Sequence, residues 1–333
     1  MSILMEVAPA NTNPFETNRL LVELSTYYQD GTQGRRTSEM VKDYATRIIS
    51  GDVQGALWLR QPDVASGVAV IDPTEGAGAR VSHLYVEKPH QTTQAVSEFV
   101  EGLQEFSKEN GGLYAICDEI PGLNHEQQAE VLEPRGFRHV GRLTMVYPLA
   151  QKDPPSPSSP PLGRRVHLGV DHVEGLISLF AQTFEGERDQ LFAPRPGNTR
   201  ESGRTFLEDF FLNLDIPPIA WGSLGIQLEE EIIGAVLAQQ GYMAPADSKH
   251  LWVYDLMVAP DQQRKGVGTY LLGELLRESK SHGIEELYLE VTEGNPAEHL
   301  YLRLGFEKIA PAESARRGFW INAAVAQSLG IPL

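Results

Sequence analysis

Apolar and polar residues follow two different rhythms along the chain. Alternating segments predict strands, and segments with apolar residues three and four positions apart predict amphipathic helices. In the first half the predicted order is helix, three strands, helix, strand, over residues 40–49, 55–60, 67–71, 80–86, 96–106 and 113–117. This succession predicts an α/β domain.

The second half repeats that order. A short strand at 165–168 precedes helices at 173–184 and 205–212, then strands at 219–227, 232–239 and 250–258. A helix at 268–280, with Gly283 as its stop signal, is followed by a strand at 287–291 and a helix at 297–304. The apolar face of helix 268–280 carries Leu271, Leu272, Leu275 and Leu276.

Short matches between the halves predict a duplication. An offset of 172 residues places Val86 on Val258 and Gln91 on Gln263, and an offset of 169 places residues 132–137 on 301–306. One loop change would produce the three-residue drift between the two offsets. We therefore expect two copies of one domain.

A proline-rich segment separates the copies. Residues 151–163 contain five prolines, which favour an extended, semi-rigid spacer. The predicted domains are residues 1–150 and 164–333, with 151–163 as the linker.

Composition narrows the range of functions. The chain has 333 residues, 41% hydrophobic and 22% charged, which is too apolar for global disorder. With 45 acidic against 28 basic residues the net charge is -17, so we expect neither nucleic acid nor an anionic membrane as a partner. Cys117 is the one cysteine, which excludes an intrachain disulfide, and the histidines lack metal-ligand spacing, so no metal is expected. A start without a signal sequence predicts a cytoplasmic protein.

Candidate chemistry lies where strand 250–258 meets the next helix. Gly266 and Gly268 let the backbone approach a ligand closely, and the first-turn amides of a helix attract an anion. Arg264 and Lys265 add positive charge. A dinucleotide fingerprint would need a small residue at Leu271, and the spacing of a P-loop is absent. A pyrophosphate site and a plain tight turn are the two interpretations that stay open.

Two segments resemble a known family. Residues 263–268, Gln-Arg-Lys-Gly-Val-Gly, resemble the Gln/Arg-x-x-Gly-x-Gly/Ala signature of the GNAT superfamily of acyl-CoA N-acyltransferases. Residues 295–306 resemble the closing Asn…Ala…Leu-Tyr…Leu-Gly-Phe segment of that family. The resemblance covers about residues 165–310. In the first half Gln94 and Val96 replace the two glycines, which predicts a degenerate copy.

The resemblance implies a fold and a cofactor site. Each domain would have a mixed, mostly antiparallel sheet with helices on both faces and one splayed pair of parallel strands. Acetyl-CoA would lie in the gap between strands 250–258 and 287–291 as a cosubstrate. The cofactor-binding residues implied are Leu256, Met257 and Val258 for the pantetheine arm, Arg264, Lys265, Gly266, Val267, Gly268 and Thr269 for the pyrophosphate, and also Gln263 and Asn295.

The resemblance also implies catalytic roles. Tyr301 would protonate the departing thiolate, since a phenol with a reference pKa of about 10 is protonated at neutral pH. Glu290 is preferred to Asp255 as general base, and a water relay could replace both. The structural alternatives are core packing for Tyr301, a helix N-cap for Asn295 and a solvated strand carboxylate for either acid.

These expectations define a function and its alternatives. The prediction is an acetyl-CoA-dependent N-acetyltransferase that transfers the acetyl group directly to a primary amine in a ternary complex. The alternatives are acetylation of a protein or peptide amino terminus, and a non-catalytic acyl-CoA sensor. The chain would act as a monomer or homodimer, and charged residues of the loop 185–204, among them Asp189, could recognise the acceptor.

Overall fold

The computed structural model describes residues 6–30, 34–51, 53–61, 64–74, 77–156, 159–193, 195–212, 218–240, 249–309 and 317–333. The chain forms two compact units, residues 1–141 with 311–333 and residues 142–310. Each unit is described below by itself.

The first unit contains one mixed sheet. Its elements in chain order are β1 (Glu6–Pro9), α1 (Pro14–Asp30), α2 (Gly34–Ser50), β2 (Gln54–Gln61), β3 (Val64–Thr74), β4 (Gly78–Val86), α3 (Thr93–Phe106), β5 (Leu113–Cys117), α4 (His125–Leu132) and the start of β6 (Phe137–Tyr147). The sheet order is β1-β2-β3-β4-β5-β13, where β13 (Arg317–Asn322) comes from the end of the chain and is followed by α9 (Ala323–Ser328). Only β4 and β5 run parallel in this series.

The second unit repeats that plan. After the end of β6 come β7 (Arg164–His167), α5 (Val173–Phe184), α6 (Thr199–Leu212), β8 (Leu224–Leu228), β9 (Glu231–Gln240), β10 (His250–Val258), α7 (Val267–Ser281), β11 (Glu286–Thr292), α8 (Ala297–Leu304) and β12 (Glu307–Lys308). The sheet order is β6-β11-β10-β9-β8-β7, and β12 also pairs with β6. Here β10 and β11 are the parallel pair.

Helices cover both faces of each sheet. In the second unit α7 and α8 share one apolar core with the sheet, and α5 and α6 share another on the opposite face. In the first unit α3 and α4 occupy one face and α1 and α2 the other. The predicted face of α7 is confirmed, since its four leucines are fully buried. The mixed sheet with helices on both faces is also confirmed.

Two predicted elements begin elsewhere. The helix expected at 205–212 begins at Thr199, because the Asn198 carboxamide accepts the Glu201 amide and caps an earlier turn. The strand expected at 219–227 begins at Leu224, because a turn closed from the Gly222 amide to the Ile219 carbonyl precedes it. The sequence analysis did not predict β1, α1, α4, β6, β12, β13 or α9.

The compact units divide the chain at different residues from the predicted boundary at 151–163. Within the predicted linker, the carbonyl oxygens of Pro155 and Ser156 accept hydrogen bonds from Arg277 of α7. The predicted second domain also included residues 317–333, which here complete the first unit. The buried Trp320 donates its indole N–H to Gln128 there. Strand pairing over such a separation leaves no local pattern in the sequence.

The parallel strand and the turn after it have the same construction in both units. Strands β4 and β10 are each nine residues long, with starts 172 residues apart. Each has one bulge, at Ser82 and at Tyr254, which are again 172 residues apart. Gln91 donates to the carbonyl of Val86, and Gln263 makes the corresponding bond to Val258.

The following helices explain the change of offset. Helices α4 and α8 are both eight residues long and also start 172 residues apart. A 3-10 turn, Glu133–Arg135, continues α4 before Gly136, whereas Gly305 follows α8 directly. These three additional residues reduce the offset from 172 to 169, the drift expected from one local change.

Candidate active site

A cavity of about 470 Å³ lies in the second unit. It is lined by the ends of β10 and β11, the first turn of α7, helix α8 and the 3-10 turn Arg188–Phe192. All but two of the predicted site residues line it. The exceptions are Met257, which is buried in the core beneath α5 and α6, and Lys265, which donates to the Gln262 side chain.

The cavity opens where two parallel strands separate. The pairing of β10 with β11 ends at Trp252 and Tyr288. Beyond that pair β10 bonds only to β9 and β11 only to β6, within the registers of the described strands. The predicted splayed pair is therefore confirmed. It leaves the inner edge of β10 without a strand partner at the cavity.

The bulge at Tyr254 determines which side chains face the cavity. One additional residue there shifts the alternation, so Val253 and Leu256, three positions apart, contribute to the same core beneath α7. Asp255 lines the cavity, and its Oδ1 accepts the Leu256 amide at 2.7 Å. The bulge thus lies where β10 and β11 separate, and it places Asp255 in the cavity wall.

The glycine turn, residues 263–268, forms one end of the cavity. Arg264 and Gly266 have positive φ angles of 59° and 89°, and Gly266 is the N-cap of α7. The first helical bond runs from the Tyr270 amide to the Gly266 carbonyl at 2.9 Å. The amides of residues 267–269 precede that bond and have no acceptor within the helix. They provide partial positive charge at the cavity wall.

The absence of side chains at Gly266 and Gly268 has two effects at this end of the cavity. A Cβ at Gly266 would meet no atom nearer than Pro161, at 4.0 Å, so the space beside its backbone is empty. A Cβ at Gly268 would lie 3.3 Å from Leu300, so a glycine there lets α7 and α8 pack closely. This geometry fits a diphosphate held by backbone amides.

Tyr301 lines the cavity from α8, although only 7% of its surface is exposed. Burial raises the pKa of its phenol above the ordinary value, and the negative charges of Asp255 and Asp189 raise it further. Arg142 acts in the opposite direction. The phenol therefore stays protonated at physiological pH and can donate a proton.

Asp255 and Glu290 lie in different environments. Burial raises the pKa of Asp255 to about 7, with the Leu256 amide opposing the shift. Glu290 keeps 21% of its side chain exposed, and its Oε2 lies 3.7 Å from Nε of Arg142. Asp255 therefore exchanges its proton near neutral pH, as a base for an ammonium requires, whereas Glu290 forms an ion pair. These contacts favour Asp255, the reverse of the order predicted from the sequence.

Asn295 is held by the protein at both ends of its amide. Its Nδ2 donates to Asp189 at 2.7 Å, and its Oδ1 accepts the Ala297 amide at 2.8 Å. The predicted capping contact is thus present, although the N-cap position itself belongs to Pro296. A contact between Asn295 and a cofactor stays a prediction.

The sequence analysis did not predict the contacts that two residues of the site make. Asp189, expected as a substrate-reading charge, also accepts a hydrogen bond from Thr292 at 2.7 Å and so ties the 3-10 turn to β11. Arg142 was not considered, because it precedes Glu290 by 148 residues and no local pattern marks it. Its position beside Thr292 in the β6–β11 pairing places it in the cavity wall.

A splayed parallel pair followed by a glycine turn and a buried tyrosine is the arrangement that the resemblance to the GNAT superfamily implies. Residues 182–306 match the model of the Acetyltransferase (GNAT) family. This matched segment, which lies within the second unit, is therefore similar to the GNAT acetyltransferases.

Known proteins resemble the chain at two levels. Over 57 residues it is 37% identical to the [Ribosomal protein bS18]-alanine N-acetyltransferase of Haemophilus influenzae, a stretch that covers 17% of this chain and 39% of that protein. A GCN5-related N-acetyltransferase from Sphaerobacter thermophilus has a TM-score of 0.57 at 16% identity, covering 95% of this chain and 94% of its own. A tandem GNAT protein from the clavulanic acid biosynthesis pathway has a TM-score of 0.56 at 14% identity, covering 95% and 97%. These structures share the fold over nearly the whole chain.

The described residues offer neither a membrane-spanning helix nor a metal site. No helix there has the length and apolarity needed to span a membrane. In the same residues no three His, Cys, Asp or Glu side chains are grouped so that they could hold a metal ion.

Proposed function

We propose that the second unit transfers the acetyl group of acetyl-CoA directly to a primary amine in a ternary complex. The observation that carries this proposal is the placement of Tyr301 and Asp255 in one cavity, at the gap between β10 and β11 and beside the glycine turn. A proton donor and a proton acceptor thus line the place where a thioester would meet an amine.

The cofactor would be held mainly by backbone groups. The amides of residues 264–269 would bind the pyrophosphate, supported by the charge of Arg264 and Lys265. Backbone groups of Leu256, Met257 and Val258 would hold the pantetheine arm, because β10 has no strand partner on that edge. The acetyl carbonyl would then lie near Asp255 and Tyr301.

The reaction needs three proton transfers. Asp255, directly or through water, takes a proton from the ammonium, and the neutral amine nitrogen attacks the acetyl carbonyl carbon. A C–N bond forms, the C–S bond breaks, and Tyr301 donates its proton to the thiolate. The second proton lost by the nitrogen returns the tyrosine to its phenol form, and Asp255 releases the first proton to solvent. The products are an N-acetyl amide and free CoA.

The first unit would be a degenerate copy without this site. It keeps the bulge and the glutamine bond described above, but Gln94 and Val96 replace the glycines. Thr92 caps α3 by accepting the Ala95 amide at 3.2 Å, so a side chain already uses a first-turn donor. In the 172-residue offset that relates α4 to α8, Ala129 stands where Tyr301 does, so this copy has no phenol there.

An acceptor screen tests the proposal. Acetyl-CoA-dependent thiol release would be followed with small amines, amino acids and peptides with free amino termini, with amine-free reactions as control. We expect release to require both an amine and acetyl-CoA. The partial resemblance to a ribosomal-protein alanine N-acetyltransferase makes peptide amino termini the second acceptor class to test. Acetyl-CoA binding without turnover on any class would instead support the sensor.

A further inference from the structure

Arg142 is a charged residue of the cavity wall that the proposed reaction does not use. It pairs with Thr292 across the β6–β11 ladder, and strand alternation places Arg142 and Thr144 on the same face as Glu290 and Thr292. It lines the cavity with Asp255 and Tyr301. Its charge acts on both of these, since it lowers the pKa of each.

The guanidinium is held in place but incompletely hydrogen-bonded. It lies over the ring of Phe192 at 5.1 Å, and its Nη2 donates to the Glu290 carbonyl at 3.4 Å. The Nε group is buried and has no hydrogen-bond partner among the described residues. The carboxylate of Glu290 is 3.7 Å from it, which is an ion pair but too long for a hydrogen bond.

A buried donor without an acceptor favours a ligand that supplies one. An N–H of this kind gains most from a carbonyl or carboxylate oxygen, because a guanidinium can only donate. Nearby, Asp255, Asp189 and Glu290 suit the positive end of an ammonium. The two kinds of group in one cavity match a molecule with an amine and a carbonyl close together.

We propose that the acceptor is an α-aminoacyl compound, in which Arg142 binds the carbonyl or carboxylate oxygen next to the reacting amine. This inference rests on the proposed N-acetyltransferase function. Arg142 is then a specificity-determining residue, and the side chain of the acceptor faces the aromatic wall of Phe184, Phe192 and Phe206. Free amino acids and peptide amino termini share this chemistry.

The test compares two acceptors that differ in one group. L-Alaninamide carries the carbonyl, and isopropylamine has a methyl group in its place. Their kcat/KM values, corrected for the neutral-amine fraction, are measured for wild type, Arg142→Gln and Arg142→Lys. The partly exposed Arg204, which lies on α6 outside the cavity lining, provides the control variant Arg204→Gln.

We expect wild type to prefer L-alaninamide, and Arg142→Gln to lose about 10- to 100-fold on that acceptor. Isopropylamine should change by less than about threefold, and Arg142→Lys should regain part of the loss. The ratio of the two acceptors does not depend on the folded fraction of a variant. An equal loss on both acceptors, or an unchanged ratio, would overturn the inference.

Two further experiments are needed. One distinguishes free amino acids from peptide termini as acceptors, and the other separates the inference about Arg142 from the proposed N-acetyltransferase function. L-Alanine against Ala-Gly-Gly distinguishes free amino acids from peptide termini. If wild type acetylates no amine, the proposed function fails, and calorimetry with N-acetyl-L-alaninamide and CoA then tests Arg142 alone. Binding that Arg142→Gln weakens at least tenfold supports the inference, whereas no binding, or equal binding by both proteins, overturns it.

Discussion

The side-chain amide of Asn295 donates a hydrogen bond to the carboxylate of Asp189 at 2.7 Å. The other carboxylate oxygen of Asp189 accepts from Thr292, also at 2.7 Å. One acid therefore fixes the 3-10 turn to both ends of the segment that connects β11 with α8. Through its charge it also raises the pKa values of Asp255 and Tyr301.

Replacement of Asp189 should consequently change the pH dependence of the enzyme. In Asp189→Asn the charge that raises the pKa of Asp255 is absent, so the acidic limb of kcat/KM should move to lower pH. The measurement is a pH profile with one acceptor at fixed ionic strength. Glu185→Gln, at an exposed acid of the same loop, is the control and should leave the limb in place. A limb that stays in place in Asp189→Asn would contradict the electrostatic account.

Tyr301→Phe should separate chemistry from binding. The phenol is the proposed proton donor to the thiolate, and its loss should lower kcat by about 100-fold or more. The Kd for CoA should stay within about twofold, because the ring still fills the core beside Phe306. Thiol release gives kcat, and calorimetry gives the Kd. Undiminished turnover would remove Tyr301 from the mechanism.

Gly266→Glu should abolish CoA binding. A carboxylate would enter the space beside the first-turn amides and repel the pyrophosphate. The left-handed backbone adds about 1 kcal/mol of strain. Gly283→Glu is the matched control, since Gly283 lies beyond the other end of α7 with a φ of 76° and no atom within 4 Å of a Cβ. Gly283→Glu should lower the melting temperature about as much as Gly266→Glu does, and it should bind CoA with wild-type affinity. Equal affinity in both variants would rule out the glycine turn as the anion site.

Asp255→Asn should affect both activity and stability. As the proposed base, Asp255 must be ionised, so kcat/KM should rise with pH through about 7 in wild type. Asp255→Asn should lose most of the activity, and its kcat/KM should no longer show this acidic limb. Glu290→Gln tests the ranking of the two acids, since it should keep the limb that Asp255→Asn loses. The opposite pattern would restore Glu290 as the base.

The stability effect has a definite sign. The pKa of Asp255 is higher in the folded state than its ordinary 3.8, so ionisation opposes folding as pH rises from about 4 to about 7. Below about pH 4 both states are protonated, and wild type and variant should differ little. Above pH 7 Asp255→Asn should be more stable by roughly 2–4 kcal/mol, measured by urea unfolding at several pH values. Equal stability at high pH would mean that the carboxylate is better solvated than its burial indicates.

Local patterns predicted most of the elements, because helix and strand periodicities depend on neighbouring residues. Gln91 and Gln263 show how far such patterns reach. Matched from the sequence at an offset of 172, they make the same bond to the preceding strand in the structure. Residues 317–322, which form β13, were included in the second domain, because no nearby residue indicates which sheet a segment will join.

The sequence by itself determined the order of elements, the repeat and the glycine turn, since each follows from adjacent residues and from the conformational freedom of glycine. Tertiary structure decided the rest of the candidate site. Only folding brings Arg142 to Glu290 across 148 residues and Asp189 to Asn295 across 106. Burial of Asp255 at the bulge, a property of the packed sheet, raises its pKa toward neutrality and makes it the favoured base.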